Sequence, residues 1–114
     1  MTMPKPPLSK TRLHGDTLYL SGELGFEADG SLPDGIEAQT RNCLERIKTT
    51  LEGAGRTMDD VLSCTCYLTN AADFAAFNAV YASYFADPLP TRTTVEAKLM
   101  LPGGLVEITA VAKA

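Results

Sequence analysis

Four stretches of this chain alternate apolar and polar residues with a period of two, whereas only two carry the wider spacing of a helix. Alternation sends successive side chains to opposite faces of a strand, so each such stretch asks for burial on one face only. "DTLYLSG" (16–22) sets Leu18 and Leu20 against Thr17, Tyr19 and Ser21, and "DVLSCTCYLT" (60–69) sets Leu62, Cys64, Cys66 and Leu68 against Ser63, Thr65 and Tyr67. Further on, Thr93, Val95, Ala97 and Leu99 alternate with Arg92, Thr94, Glu96 and Lys98. At the end Val106, Ile108, Ala110 and Ala112 alternate with Glu107 and Thr109.

The helical spacing begins at Ile36 and runs through Cys43, Leu44, Ile47, Leu51 and Ala54, with Gly53 and Gly55 supplying the stop. Asp34 precedes Glu37 by three residues, the spacing of a capping box, and predicts the start of this helix. A second helix is expected from an Asn70 cap, with Asp73 in its first turn and Phe74, Phe77, Tyr81, Tyr84 and Phe85 on one side, ending before Pro88.

The order is strand, helix, strand, helix, strand, strand, which predicts an α+β layer: two helices against one face of a single sheet, in one domain over residues 1–114. The apolar set belongs under the helices. Left together on the other face are Thr17, Tyr19, Ser21, Ser63, Thr65, Tyr67, Arg92, Thr94, Glu107 and Thr109. That face is too polar for a dry core and too rich in tyrosine and threonine for a plain solvated surface. A domain this small also gains from covering a bare sheet face, so the expectation is a second subunit there, with a wet pocket in the seam.

With a net charge of −4 and no cluster of Lys or Arg, the chain shows no footprint for a phosphate backbone, and nucleic acid is not an expected partner. No signal-peptide core and no bilayer-length apolar run is present, which predicts a cytoplasmic protein without a membrane partner. Cys43, Cys64 and Cys66 are read as reduced, buried thiols rather than as a disulfide or zinc set, since their number is odd and His14 is the sole histidine. His14 is an edge residue without a role, and Tyr19, Tyr67 and the aromatic residues of the second helix are read as packing.

Arg92 is the residue that this architecture does not explain. A guanidinium on an interfacial sheet needs an anion, which is either Glu107 or Glu96 of the protein or the carboxylate of a substrate held bidentately. Glu107, between Val106 and Ile108, either pairs with Arg92 or Lys98 or holds and activates a water. If the last two strands form a hairpin turning near Pro102, Gly103 and Gly104, residue 107 lies roughly 15 Å from Arg92, at about 3.3 Å per residue. Joint action of the two then requires different subunits or a different strand order.

Segments "LYLSGELG", "TRNCLERIKTTLEGAG", "DVLSCTCYLTNAADFAAFNAVYASYF" and "LPTRTTVEAKLMLPGGLVEITAVA" resemble, in this order, the RidA/YjgF family of reactive-intermediate deaminases over nearly the whole chain from Asp16. Pro90-Thr91-Arg92-Thr93 and Val106-Glu107-Ile108 carry the likeness most specifically. It implies a chorismate-mutase-like homotrimer with sheets around the threefold axis, clefts between subunits, and hydrolysis of 2-imino or enamino acids to 2-keto acids and ammonia. By the same resemblance Arg92 clamps the substrate carboxylate, Glu107 positions the water, and Ser21, Gly22 and Asn78 line the cleft. Thr94 stands at a substrate-lining position where the family has cysteine, Leu8 where it has tyrosine, and the "ADPLPTR" loop is shorter. Neither metal nor organic cofactor is implied.

Those three departures bear on the substrate, which extends the expectation to a pathway deaminase for a larger compound such as an aminomuconate. From another class, a non-catalytic trimer that binds 2-keto acids would use the same arginine. A nuclease ranks last, for want of a basic groove.

Overall fold

The computed structural model describes residues 5–114, so the first four residues of the domain expected over 1–114 lie outside the described residues. Eight elements follow one another: β1 (Thr11–His14), β2 (Thr17–Leu20), β3 (Glu23–Leu24), α1 (Ile36–Gly53), β4 (Val61–Leu68), α2 (Phe74–Ala82), β5 (Thr91–Glu96) and β6 (Val106–Lys113). The strands form one sheet in the order β1-β2-β6-β4-β5, with β3 also paired to β6. Both helices contribute side chains to the same buried cluster, and the molecule is only 22 Å across its thinnest direction, as one helical layer on one sheet requires. The α+β class is as expected from the alternation.

Between the layers, Val106, Ile108, Ala110 and Ala112 of β6 and Cys64, Cys66 and Leu68 of β4 meet Cys43, Leu44, Ile47 and Leu51 of α1 and Phe77 and Tyr81 of α2. The three cysteines are free and buried in this core. At its end α1 closes on two bonds, from Arg56 N–H to Leu51 O (2.8 Å) and from Gly55 N–H to Glu52 O (3.0 Å), with Gly55 at φ +75°. This is the Schellman arrangement, and it needs the left-handed conformation that glycine adopts without strain.

Four expectations are corrected. The first strand is two: Gly15, at φ +58°, turns the chain so that β1 pairs back on β2, with His14 opposite Thr17. β1 had no readable signal because Leu13, its one apolar residue, is exposed at the sheet edge. The Asp34–Glu37 capping box does not form, since α1 starts after Gly35 without a side-chain cap. α2 stops at Ala82, short of the Tyr84–Phe85 end expected, and is preceded by a 3-10 turn at Ala71–Asp73 whose Asn70 side chain accepts from Ala72 N–H at 2.9 Å.

The fourth correction matters most for function: β5 and β6 are not a hairpin. β5 lies parallel to β4, joined through α2, and β6 lies antiparallel on the other side of β4. Residues 97–105 therefore cross the end of β4, tied down by Ala97 N–H to Leu68 O (2.9 Å) and Thr69 N–H to Leu105 O (3.1 Å). The buried Gln39 side chain staples this crossover to α1. Its Oε1 accepts from Leu105 N–H at 2.8 Å, and its Nε2 donates to Gly103 O at 3.0 Å and to Pro33 O at 2.9 Å.

Candidate functional site

In β5 the alternation is real but its sense is reversed. Parallel pairing sets Arg92 beside Cys64, Thr94 beside Cys66 and Glu96 beside Leu68, so Arg92, Thr94 and Glu96 share the helix side of the sheet. Thr91, Thr93 and Val95 take the open side. The placement of Arg92 and Thr94 on the uncovered polar face is thus corrected. Because β5 is an edge strand beyond the reach of α1, neither of its faces is deeply buried, and its apolar members gave no reliable indication of the inner side.

The Arg92 guanidinium carbon lies 4.8 Å from the ring centre of Tyr81, 5.5 Å from that of Phe77 and 5.6 Å from that of Phe74. Among the described residues no carboxylate stands within ion-pair distance of it. The Glu96 alternative is occupied elsewhere, its Oε1 accepting from Ala71 N–H at 2.7 Å at the foot of α2. Asn78, Tyr81, Ala82, Phe85, Leu89, Pro90 and Arg92 line a cleft of about 490 Å³.

Four buried side-chain polar atoms among the described residues have no hydrogen-bond partner: Thr40 Oγ1, Asn78 Oδ1, Tyr81 OH and Thr94 Oγ1. Three of them belong to the cleft or to the neighbouring position on β5. An unsatisfied buried polar atom costs on the order of 1–3 kcal/mol, and here the Tyr81 and Thr94 hydroxyls have only the weakly bonding sulfurs of Cys64 and Cys66 beside them; together with Asn78 Oδ1 they favour a polar molecule, and the unpaired Arg92 cation favours an anionic one. Burial pushes the Tyr81 hydroxyl up, to which the neighbouring Cys64 contributes, and pushes the Cys66 thiol up to about 12, so both remain protonated at neutral pH.

Glu107 belongs to the other side. It pairs with Tyr67 of β4, flanked in β6 by the buried Val106 and Ile108, and faces the open side of the sheet. Ser21 and Gly22 reach it through a bulge: Tyr19 pairs with Val111 but Glu23 with Ile108, so three residues on one strand span two on the other. The carboxylate of Glu107 fills the space that a Cβ on Gly22 would take, and Thr109 Oγ1 would lie 3.1 Å from that Cβ. The Ser21 hydroxyl donates to Ser9 O at 2.6 Å, and Ser21 N–H to Lys10 O at 3.1 Å, which fixes the bulge against the N-terminal segment.

Within one chain, then, the expected residues form two groups. Arg92, Asn78 and Thr94 are on the helix side, and Glu107, Ser21 and Gly22 are on the open side. Two strand spacings and three residues separate Arg92 from Glu107, about 14 Å between Cα atoms. Neither the Arg92–Glu107 nor the Lys98–Glu107 ion pair occurs among the described residues.

Sequence reasoning passed over two features. Phe74, Phe77 and Tyr81 were read as packing, although their spacing along one helix was the available sign of a surface facing β5. Glu23 was not singled out at all: 5% exposed, it bonds Lys10 Nζ at 2.5 Å and Arg46 Nε at 2.8 Å and locks β3 to α1. No group of three or more His, Cys, Asp or Glu able to hold a metal ion, and no helix long and apolar enough to cross a membrane, is found among the described residues.

The family model described as endoribonuclease L-PSP matches residues 3–114. A RutC family protein of Pyrococcus horikoshii is 40% identical over 113 residues, covering 96% of this chain and 90% of its own. Among solved structures, RidA from an Antarctic Psychrobacter superposes with a TM-score of 0.91 at 33% identity, over 98% of this chain and 92% of that one. TdcF of E. coli, solved with bound serine, gives 0.88 at 28% identity over 97% and 91%.

Proposed function

The chain belongs to the endoribonuclease L-PSP family, and from that premise we propose that it hydrolyses 2-imino and enamino acids to 2-keto acids and ammonia. In this reading it works as a cytoplasmic homotrimer, in whose clefts Arg92, Asn78 and Thr94 of one copy face Glu107, Ser21 and Gly22 of another. The observation that carries the proposal is the Arg92 cleft: a guanidinium with no carboxylate in ion-pair distance among the described residues, beside Asn78 Oδ1, Tyr81 OH and Thr94 Oγ1, which lack hydrogen-bond partners there. Serine in the related TdcF, an amino acid with a carboxylate next to a nitrogen, supports a ligand of this class.

In the proposed mechanism the Arg92 fork binds the substrate carboxylate through two charge-assisted bonds and fixes the C=N carbon in the seam. With the imine nitrogen protonated, Glu107 accepts a proton from a water as its oxygen bonds to that carbon, giving a neutral carbinolamine. The same proton then passes to the amine nitrogen, the C–N bond breaks as the hydroxyl oxygen forms the C=O bond, and the hydroxyl proton goes through Glu107 to the departing ammonia, which leaves with the keto acid and restores the carboxylate. An enamine enters by tautomerising to the imine. Imines hydrolyse in water unaided, so orientation and one proton shuttle are a sufficient demand on the site.

The decisive assay generates imines in situ with an amino-acid oxidase and follows their loss with wild-type or Arg92→Ala protein. Acceleration by wild type alone establishes the reaction. Calorimetry with 2-oxobutanoate, run beside it, distinguishes the binding-module reading, for which the keto acid binds but no imine is consumed.

A further inference from the structure

We infer that Phe74, Phe77 and Tyr81 are the positioning residues of Arg92, a three-ring aromatic cage that takes the place of a protein counter-ion. The inference rests on Arg92 being the carboxylate-binding group.

An arginine that waits for a ligand carboxylate meets two opposed demands. It must be held in one place, or the entropy of ordering its long side chain is charged to binding. Yet the usual holder, an Asp or Glu, would occupy the N–H groups that the ligand needs and neutralise the charge that attracts it. Aromatic faces satisfy both demands. They attract a guanidinium through their quadrupole within about 6 Å and accept nothing at its N–H edge, so the donor fork stays open.

The geometry here has that form. Three ring centres lie between 4.8 and 5.6 Å from the guanidinium carbon. Two of the rings are fixed by packing: Phe77 is fully buried, Tyr81 nearly so, and they pack tilted against each other with centres 5.5 Å apart, with Phe85 against Tyr81 at 4.8 Å, while Phe74 is the exposed outer wall. The nearest candidate counter-ion on the same strand face, Glu96, is held by Ala71 N–H instead. α2 therefore does more than cover the sheet: one side of it presents the cage, and the same turn presents Asn78 to the cleft.

The test is calorimetric titration with 2-oxobutanoate of wild type, Phe74→Leu, Tyr81→Leu and Tyr81→Phe, with melting temperatures recorded for each. Phe74 is 43% exposed, so its replacement leaves the fold intact. The cage predicts that Kd rises about threefold in Phe74→Leu and about tenfold in Tyr81→Leu, while Tyr81→Phe, which keeps the ring and gives up only the hydroxyl, loses clearly less than Tyr81→Leu. In imine hydrolysis the same loss is expected in KM, with kcat little changed, and neither leucine substitution should lower the residual kcat/KM further when combined with Arg92→Ala. Unchanged affinity in a folded Phe74→Leu, or a loss in Tyr81→Phe equal to that in Tyr81→Leu, overturns the cage and leaves the role of Arg92 standing. Wild-type protein that does not bind 2-oxobutanoate overturns both.

Discussion

A single methyl group probes the geometry around Glu107. In Gly22→Ala the new Cβ meets the Glu107 carboxylate, which must move, and the strand beneath it cannot. If Glu107 handles the water as proposed, displacing it by about 1 Å lowers kcat on the order of 100-fold, while keto-acid binding at Arg92 is retained. Steady-state kinetics beside calorimetry check this, and equal losses in both would contradict it. Arg92→Ala shows the reverse pattern. Two charge-assisted bonds at about 1.5–3 kcal/mol each predict a fall in kcat/KM of about a hundredfold or more, with 2-oxobutanoate binding lost too. The three buried thiols, all raised by burial, provide the pH dependence, and Cys66 shows its sign. Burial raises its thiol from 9.0 to about 12, so the folded chain keeps a proton that the unfolded chain releases. This contribution is complete below pH 9 and is lost as pH rises from 9 toward 12, so the urea midpoint should fall between pH 8 and pH 10.5.

Among the elements, the crossover from β5 to β6 depends on Gln39. Gln39→Ala removes three bonds to the backbone of two loops and leaves Leu105 N–H without a partner, at a cost of about 2–4 kcal/mol in unfolding free energy by denaturant titration. The crossover also shows where the sequence could be read and where it could not. β4 and β6 were largely legible because both lie between other strands: Cys64, Cys66 and Leu68, and Val106, Ile108, Ala110 and Ala112, face the helices as expected, whereas Leu62, expected with them, is 50% exposed beside a register shift between Val61 and Ser63 that puts Val61 inside instead. In β5 the period was legible and its sense was not, because an edge strand with no face fully covered lets Val95 stand 42% exposed and Arg92 sit over aromatic rings. Parallel pairing with β4 leaves no trace in local pattern, since it depends on α2 carrying the chain across. The residues proposed for the site came from the family resemblance, but their division between two faces became visible only with the strand order.

For the molecule as a whole, the proposed reaction requires assembly to bring the two groups together. The open face is ordered in rows: Thr93, Thr65 and Thr109 in one, Val95, Tyr67 and Glu107 in the next, Thr91, Ser63, Val111 and Tyr19 in a third. The third row continues to Arg12 on the edge strand, so Glu107 is the sole charge on the three strands β4, β5 and β6 of these rows, and Tyr19 and Val95 are left 48% and 42% exposed. Such a surface suits a partner better than water. If a second copy covers it, the helix-side edge of one chain can meet the open face of the next, and Arg92 can face Glu107. The most direct test mixes subunits: Arg92→Ala and Glu107→Gln proteins, each inactive alone, are unfolded together in equal amounts and refolded. In mixed trimers one seam of three carries an intact Arg92 from one parent and an intact Glu107 from the other, so imine hydrolysis should return to about a quarter of the wild-type rate. A refolded, demonstrably mixed trimer with no activity would mean that the two residues do not act together across a seam.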